Sequence, residues 1–201
     1  MTQNLTVPSH IVGCVPYINA RPLVRMFAEA VDVEVVYDVP SRLPALLDAG
    51  EAEAVLASAF DALRTPGRTF AEGVSIASLG PVESVRLFSK VPFGEIKRLA
   101  LDASSLTSNA LARALLAEIY ATRPSCNEAL PNLADMLDQN DAAVLIGDKG
   151  MAADPTGLHV LDLGEAWTKL SGLPFVWALW IGKEDLSPAL VAHLNAAARW
   201  G

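Results

Sequence analysis

Short apolar runs alternate with helical spacing along nearly the whole chain, and this alternation limits the fold more than any single residue does. His10-Ile11-Val12-Gly13-Cys14-Val15-Pro16 reads as a buried strand. Leu23, Met26, Phe27 and Ala30 then recur at the i, i+3, i+4 and i+7 positions of a helix, with Pro22 suited to its first turn. Val33 to Val39 predicts a second strand. Ser41 can cap a helix carrying Leu43, Leu46 and Leu47, and Gly50 ends it. Ala54 to Ala57 and Val74 to Leu79 are further strands. The order β-α-β-α-β predicts an α/β sheet with mainly parallel pairing.

A second unit begins after Gly80-Pro81. Val85 to Ser89 and Arg98 to Asp102 are strand-like, and Leu111, Leu115 and Ile119 line one helix face. Asn132 to Gln139 predicts a short helix, and Ala142 to Ile146 and Val160 to Leu163 predict strands. Phe175 to Ile181 reads as one long apolar strand. Ser187-Pro188 opens a final alanine-rich helix whose apolar face, Leu190, Val191 and Leu194, has no following segment to cover it. No internal repeat and no low-complexity linker interrupts the pattern.

Composition narrows the function classes. The 201 residues suit one full domain or two small lobes, and with 52% apolar and 19% charged side chains the chain is not disordered. Fifteen Lys and Arg against 23 Asp and Glu leave a net charge of −8. No run of five like charges accounts for it. A chain this acidic lacks the basic stripe that a phosphate backbone demands, so nucleic acid is excluded as a general partner. Residues 1–10 show no secretory signal, and the stretch from Leu173 to Gly182 is about half the length needed to span a bilayer. A cytoplasmic protein with no membrane partner is the expectation. Cys14 and Cys126 have no metal-ligand spacing, and His10, His159 and His193 lie far apart, so no metal site is expected. Cys14 reads as a small core residue.

Three stretches place polar residues where an α/β fold exposes backbone. In Pro16-Tyr17-Ile18-Asn19-Ala20-Arg21-Pro22, between a strand end and a helix start, Asn19 offers an amide donor and acceptor where open α/β sheets bind ligands; it can equally cap the helix. In Asp102-Ala103-Ser104-Ser105-Leu106-Thr107-Ser108-Asn109, four hydroxyls crowd ahead of a helix. One suffices for capping, and the surplus favours an anion held at the helix N-terminus. In Leu145-Ile146-Gly147-Asp148-Lys149-Gly150, Gly147 allows close backbone approach, and Asp148 can be an acid/base group, an orienter or a cap. There is no Gly-rich phosphate cradle, and no Ser-His-Asp, Cys-His or HExxH arrangement.

Five segments together resemble the chorismate dehydratase family of the futalosine route to menaquinone: VPYINARPL, SLGPVESVRLFSK, LALDASSLTSNAL, AAVLIGDKG and DLGEAWTKLSGLPFVWALW. They occur in the family's order and cover nearly all of residues 11–182. The resemblance implies a fold similar to type II periplasmic-binding proteins, with two lobes, each a mainly parallel sheet flanked by helices, and a ligand cleft between them. Residues 1–84 with 178–201 would form the first lobe and 85–177 the second. It implies a hydro-lyase that takes water from the small anion chorismate to give 3-[(1-carboxyvinyl)oxy]benzoate, with no metal or organic cofactor, and it leaves a homodimer open. Carried over by position, Asn19, Ser84 and Asp148 would be the catalytic set. Arg21, Arg86, Ser104, Ser105, Thr107, Ser108, Gly147 and Phe175 would bind substrate. The proton acceptor is Asp148 or the substrate's own enolpyruvyl carboxylate.

Two alternatives stay open on the same fold. A sister enzyme that makes 1,4-dihydroxy-6-naphthoate is expected to carry a catalytic His after the strand ending in Leu145-Ile146, where this chain has Gly147. A cytoplasmic small-anion sensor would bind chorismate without converting it. An anionic substrate also requires that the acidity stay off the site, and Ser104 to Asn109 and Pro16 to Pro22 contain no carboxylate.

Overall fold

The computed structural model describes residues 9–40, 42–183 and 185–201. The chain forms two compact units, residues 1–76 with 178–201 and residues 77–177. Residues 77–84, assigned above to the first lobe, therefore belong with the second: the Gly80, Val82 and Glu83 N–H groups all bond to side chains of residues 162–168.

The first unit is built on a five-stranded sheet. Its strands are β1 (His10–Cys14), β2 (Val33–Tyr37), β3 (Ala54–Ser58), β4 (Arg68–Ser78) and the later half of β10 (Phe175–Lys183), in the order β2-β1-β3-β10-β4. β1 pairs parallel with β2 and β3, as the β-α-β-α-β order predicts, whereas β10 runs antiparallel to β3. The sheet is therefore mixed, because β10 enters it from the second unit rather than from a crossover helix.

The helices α1 (Leu43–Ala49), α2 (Ala59–Arg64) and α7 (Pro188–Trp200) complete this unit. The Ser41 cap expected for α1 lies outside the described residues. α7 starts as predicted, with the Ser187 hydroxyl accepting the Leu190 N–H at 3.2 Å. Its apolar face is not left bare. Leu190, Leu194 and Ala197 are fully buried in one core with Leu23, Phe27, Leu43, Leu56 and Trp180, where each Leu contributes about 1.5–3 kcal/mol. The helix expected from Leu23 to Ala30 is instead two 3₁₀ turns, Arg21–Leu23 and Arg25–Ala28, broken at Val24. Over so few residues i, i+3 spacing suits either geometry, so periodicity could not separate them.

The second unit holds β5 (Val85–Ser89), β6 (Arg98–Asp102), β7 (Ser125–Ala129), β8 (Ala142–Ile146) and β9 (His159–Asp162), ordered β7-β6-β8-β5-β9. β6 pairs parallel with β7 and β8, while β5 is antiparallel to β8 and β9. The strands' period of two sorts side chains onto two faces. Leu87, Leu99, Leu101 and Val144 join the core under α3 (Leu106–Tyr120) and α6 (Leu163–Ser171). Phe88, Ala100, Ala143 and Leu145 meet Met136 of α4 (Leu133–Gln139) on the other face. On α3, Leu111 and Leu115 are buried as expected, but Ile119 is 41% exposed and Ala112 and Leu116 complete the face. α5 (Gly147–Ala152) follows β8 directly.

Candidate functional site

In the first unit, β1 ends at Cys14 and the chain turns through residues 15–20 into the first 3₁₀ turn. Tyr17, Ile18, Asn19 and Arg21 are exposed there, while Ala20 is buried and holds the turn with its N–H on the Tyr17 carbonyl, 3.1 Å away. The capping role open to Asn19 is not the one it takes. The cap position belongs to Ala20, and no side chain accepts a hydrogen bond there. Asn19 thus carries an amide at a strand's carboxyl end with no structural duty among the described residues. At the end of β1 Cys14 is buried, and desolvation pushes its thiol up to about 12, in keeping with a core residue.

In the second unit, pairing in register brings the ends of β6, β8 and β9 and the start of β5 to one edge of the sheet. Asp102, the last residue of β6, is fully buried and organises that edge. One carboxylate oxygen accepts both the Ser104 N–H at 2.9 Å and the Ser104 hydroxyl, and the other accepts the Ile146 N–H at 3.2 Å. Asn109 donates to the Asp102 carbonyl at 2.9 Å. The loop before α3 and the junction of β8 with α5 are therefore tied together through one side chain. The sequence carries the signal as Asp-Ala-Ser at a strand end, an Asx-turn pattern that singling out hydroxyls passed over.

The surplus of hydroxyls has structural uses as well. Ser105 caps α3 by accepting the Ser108 N–H at 3.3 Å, and Thr107 donates to the Trp177 carbonyl at 3.0 Å. A hydroxyl that accepts keeps its own O–H to donate, so capping leaves Ser105 with a donor at the N-terminus of this 15-residue helix. Gly147, at φ 61, takes the left-handed turn that starts α5 straight from the strand, and Asp148 follows on the exposed first turn. Asp148 is not the cap, since that position falls to Ile146.

Ser84 reaches the same edge through a tight turn. Its N–H bonds the Val82 carbonyl at 2.6 Å and encloses Glu83 at φ 59. Gly150 of α5 lies against the Ser84 carbonyl so closely that a Cβ would stand 2.7 Å from that oxygen. Two residues expected to bind substrate are directed elsewhere. Arg86 donates from Nε to the Gly150 carbonyl at 2.8 Å and from Nη2 to the Met151 carbonyl at 2.6 Å, so its charge neutralises the end of α5. Phe175 stacks edge-on between Trp167 and Trp177, at 5.3 and 4.5 Å between centroids, and packs on the core. Among the described residues no cluster of His, Cys, Asp and Glu could hold a metal ion, and no helix is long and apolar enough to cross a membrane.

Comparison with known proteins gives this geometry a context. A family model described as menaquinone biosynthesis matches residues 11–200. A chorismate dehydratase from Thermus thermophilus is 32% identical, with the match covering 96% of this chain and 77% of the relative. Among solved structures, protein AF1704 from Archaeoglobus fulgidus superposes with a TM-score of 0.69 at 21% identity, covering 94% of this chain and 74% of that one. The periplasmic aliphatic sulphonate binding protein SsuA from Escherichia coli gives 0.61 at 15% identity, covering 95% and 68%. Both likenesses are of fold, and the fold is that of type II periplasmic-binding proteins.

Proposed function

Because the chain belongs to the menaquinone-biosynthesis family, we propose that it is a chorismate dehydratase, a hydro-lyase of the cytoplasm that converts chorismate to 3-[(1-carboxyvinyl)oxy]benzoate. The observation that carries this reading is the 32% identity to the Thermus thermophilus enzyme of that name, spread over 96% of the chain.

The reaction asks little of an acid or base. Loss of the C3 proton sends its electrons into the C3–C4 bond as the C4 hydroxyl leaves, and the ring becomes aromatic. The protein's task is orientation, carboxylate binding and help for the leaving oxygen. Asn19 is suited to the reacting region by its exposed amide at a strand end, which no capping duty occupies. Arg21 supplies positive charge two residues on. In the second unit the α3 N-terminus, with Ser105 and Ser108, holds a substrate carboxylate, and Ser84, Gly147 and Asp148 belong to the same sheet edge. Ser104 and Thr107 contribute by shaping that loop, since their hydroxyls bond Asp102 and Trp177. The substrate's enolpyruvyl carboxylate takes the C3 proton, and Asn19 and Ser84 position it.

The test is direct. Purified protein is mixed with chorismate, and the aromatic product is sought by ultraviolet absorbance and mass. Tight binding with no product overturns the enzyme reading in favour of a sensor. Asp148→Asn should turn over at a near-normal rate; its total inactivity with intact binding would return the proton to Asp148.

A further inference from the structure

The DLGEAWTKL segment is the one shared motif that the proposed chemistry leaves unused, and its first residue makes a contact no cap requires. Asp162 ends β9 and caps α6, one carboxylate oxygen accepting the Glu165 N–H at 2.9 Å. The same carboxylate also accepts the Val82 N–H at 3.1 Å and the Glu83 N–H at 2.7 Å, some eighty residues upstream. Those two N–H groups belong to the turn whose next residue is Ser84.

That turn needs an external hold. Glu83 takes φ 59, a region that side-chain-bearing residues seldom enter, and its side chain is exposed, so no burial keeps it there. The Asp162 carboxylate supplies charge-assisted acceptors to both N–H groups of the turn. Farther along α6, Thr168 accepts the Gly80 N–H at 2.8 Å. Between the two, Gly164 lets α6 lie against the segment: a Cβ there would come 2.8 Å from the Gly80 carbonyl oxygen. α5 closes on the Ser84 carbonyl through Gly150. Every one of these contacts fixes the backbone on which Ser84 stands.

We propose that Asp162 is a positioning residue for the reaction, and that by clamping the Val82–Ser84 turn to the start of α6 it sets the place of Ser84 at the substrate. The proposal rests on the reading of Ser84 as a substrate contact. Asp162→Asn keeps the size and an acceptor for the α6 cap, but it turns an amide donor toward N–H groups that need an acceptor. Thr168→Val removes the neighbouring anchor at nearly constant volume and serves as the second variant.

The experiment is a double-mutant cycle with Ser84→Ala, reading kcat and KM for chorismate, with backbone amide exchange at residues 82–84 alongside. Asp162→Asn should lower kcat/KM on the order of tenfold in the parent and less than about twofold in the Ser84→Ala background. Amide exchange at Val82 and Glu83 should quicken while the circular dichroism spectrum is retained. Thr168→Val should act in the same sense with a smaller amplitude. Equal losses in both backgrounds overturn the proposal, because Asp162 would then act on the fold at large. If Ser84→Ala costs turnover but neither Asp162→Asn nor Thr168→Val does, the reading of Ser84 stands and the positioning role is refuted. If Ser84→Ala itself changes nothing, the reading of Ser84 is what fails, and the coupling through it falls with it.

Discussion

Ser104 gives both its backbone N–H and its hydroxyl to a single oxygen of the buried Asp102 carboxylate, whose other oxygen takes the Ile146 N–H. A carboxylate therefore lies directly beneath the loop expected to receive an anion. Three donors from the protein converge on it, and the N-terminal cap of α3, Ser105, stands three residues farther along.

Asp102→Ala should be far more damaging than Ser104→Ala. It removes the buried acceptor of three hydrogen bonds, from the Ser104 N–H, the Ser104 hydroxyl and the Ile146 N–H, each worth about 0.5–1.5 kcal/mol. Ser104→Ala removes only one hydroxyl donor and should cost about 1 kcal/mol. Urea unfolding of the two variants checks the order, and similar midpoints would contradict it.

Asn19→Ala separates catalysis from stability. The residue is exposed and caps nothing, so unfolding should change by less than about 0.5 kcal/mol. Dehydration of chorismate should fall on the order of 10²-fold, the scale of losing one oriented donor. A melting temperature that drops together with turnover would assign Asn19 to the fold instead.

Arg86→Ala should behave in the opposite way. Its guanidinium ties β5 to the Gly150 and Met151 carbonyls, so the variant should lose about 1–3 kcal/mol of stability. Arg86→Lys should recover only part of this, because an ammonium cannot span both carbonyls as the planar fork does. A substrate-binding role would show as a raised KM at unchanged stability.

Asp141 governs part of the acid limb. Its carboxylate accepts the Lys97 and Arg98 N–H groups at 2.9 and 2.8 Å, and these bonds hold its pKa below the ordinary value. The folded protein then binds this proton less readily than the unfolded chain does. The contribution is complete above the unfolded value of about 3.9 and is lost as pH falls through the lower folded value. Asp141→Asn should therefore flatten the pH dependence of stability below about pH 4, measured by urea midpoints across that range.

Legibility followed the reach of each signal. The Ser187, Ser105 and Asn132 caps act over three residues or fewer and could be read directly or by composition. The buried strands announce themselves as apolar runs. α6 was missed although Asp162 and Glu165 sit at capping-box spacing, and β7 was missed because its residues are almost all exposed and only its pairing with β6 makes it a strand.

The sequence by itself determined the α/β class, the order of most elements, the burial of Cys14 and the three polar segments at strand ends. It did so because hydrophobic period and capping are properties of neighbours. Only the tertiary structure decided what the polar groups do. Asp102 meets Ile146 across 44 residues and Asp162 meets Val82 across 80, and such bonds arise from strand order rather than from spacing. The same long-range packing covered the apolar face of α7, brought β10 antiparallel into the first sheet, and gave Arg86 and Phe175 partners within the protein. Residue type limits what a side chain can bond, and the fold decides which partner is near enough to accept.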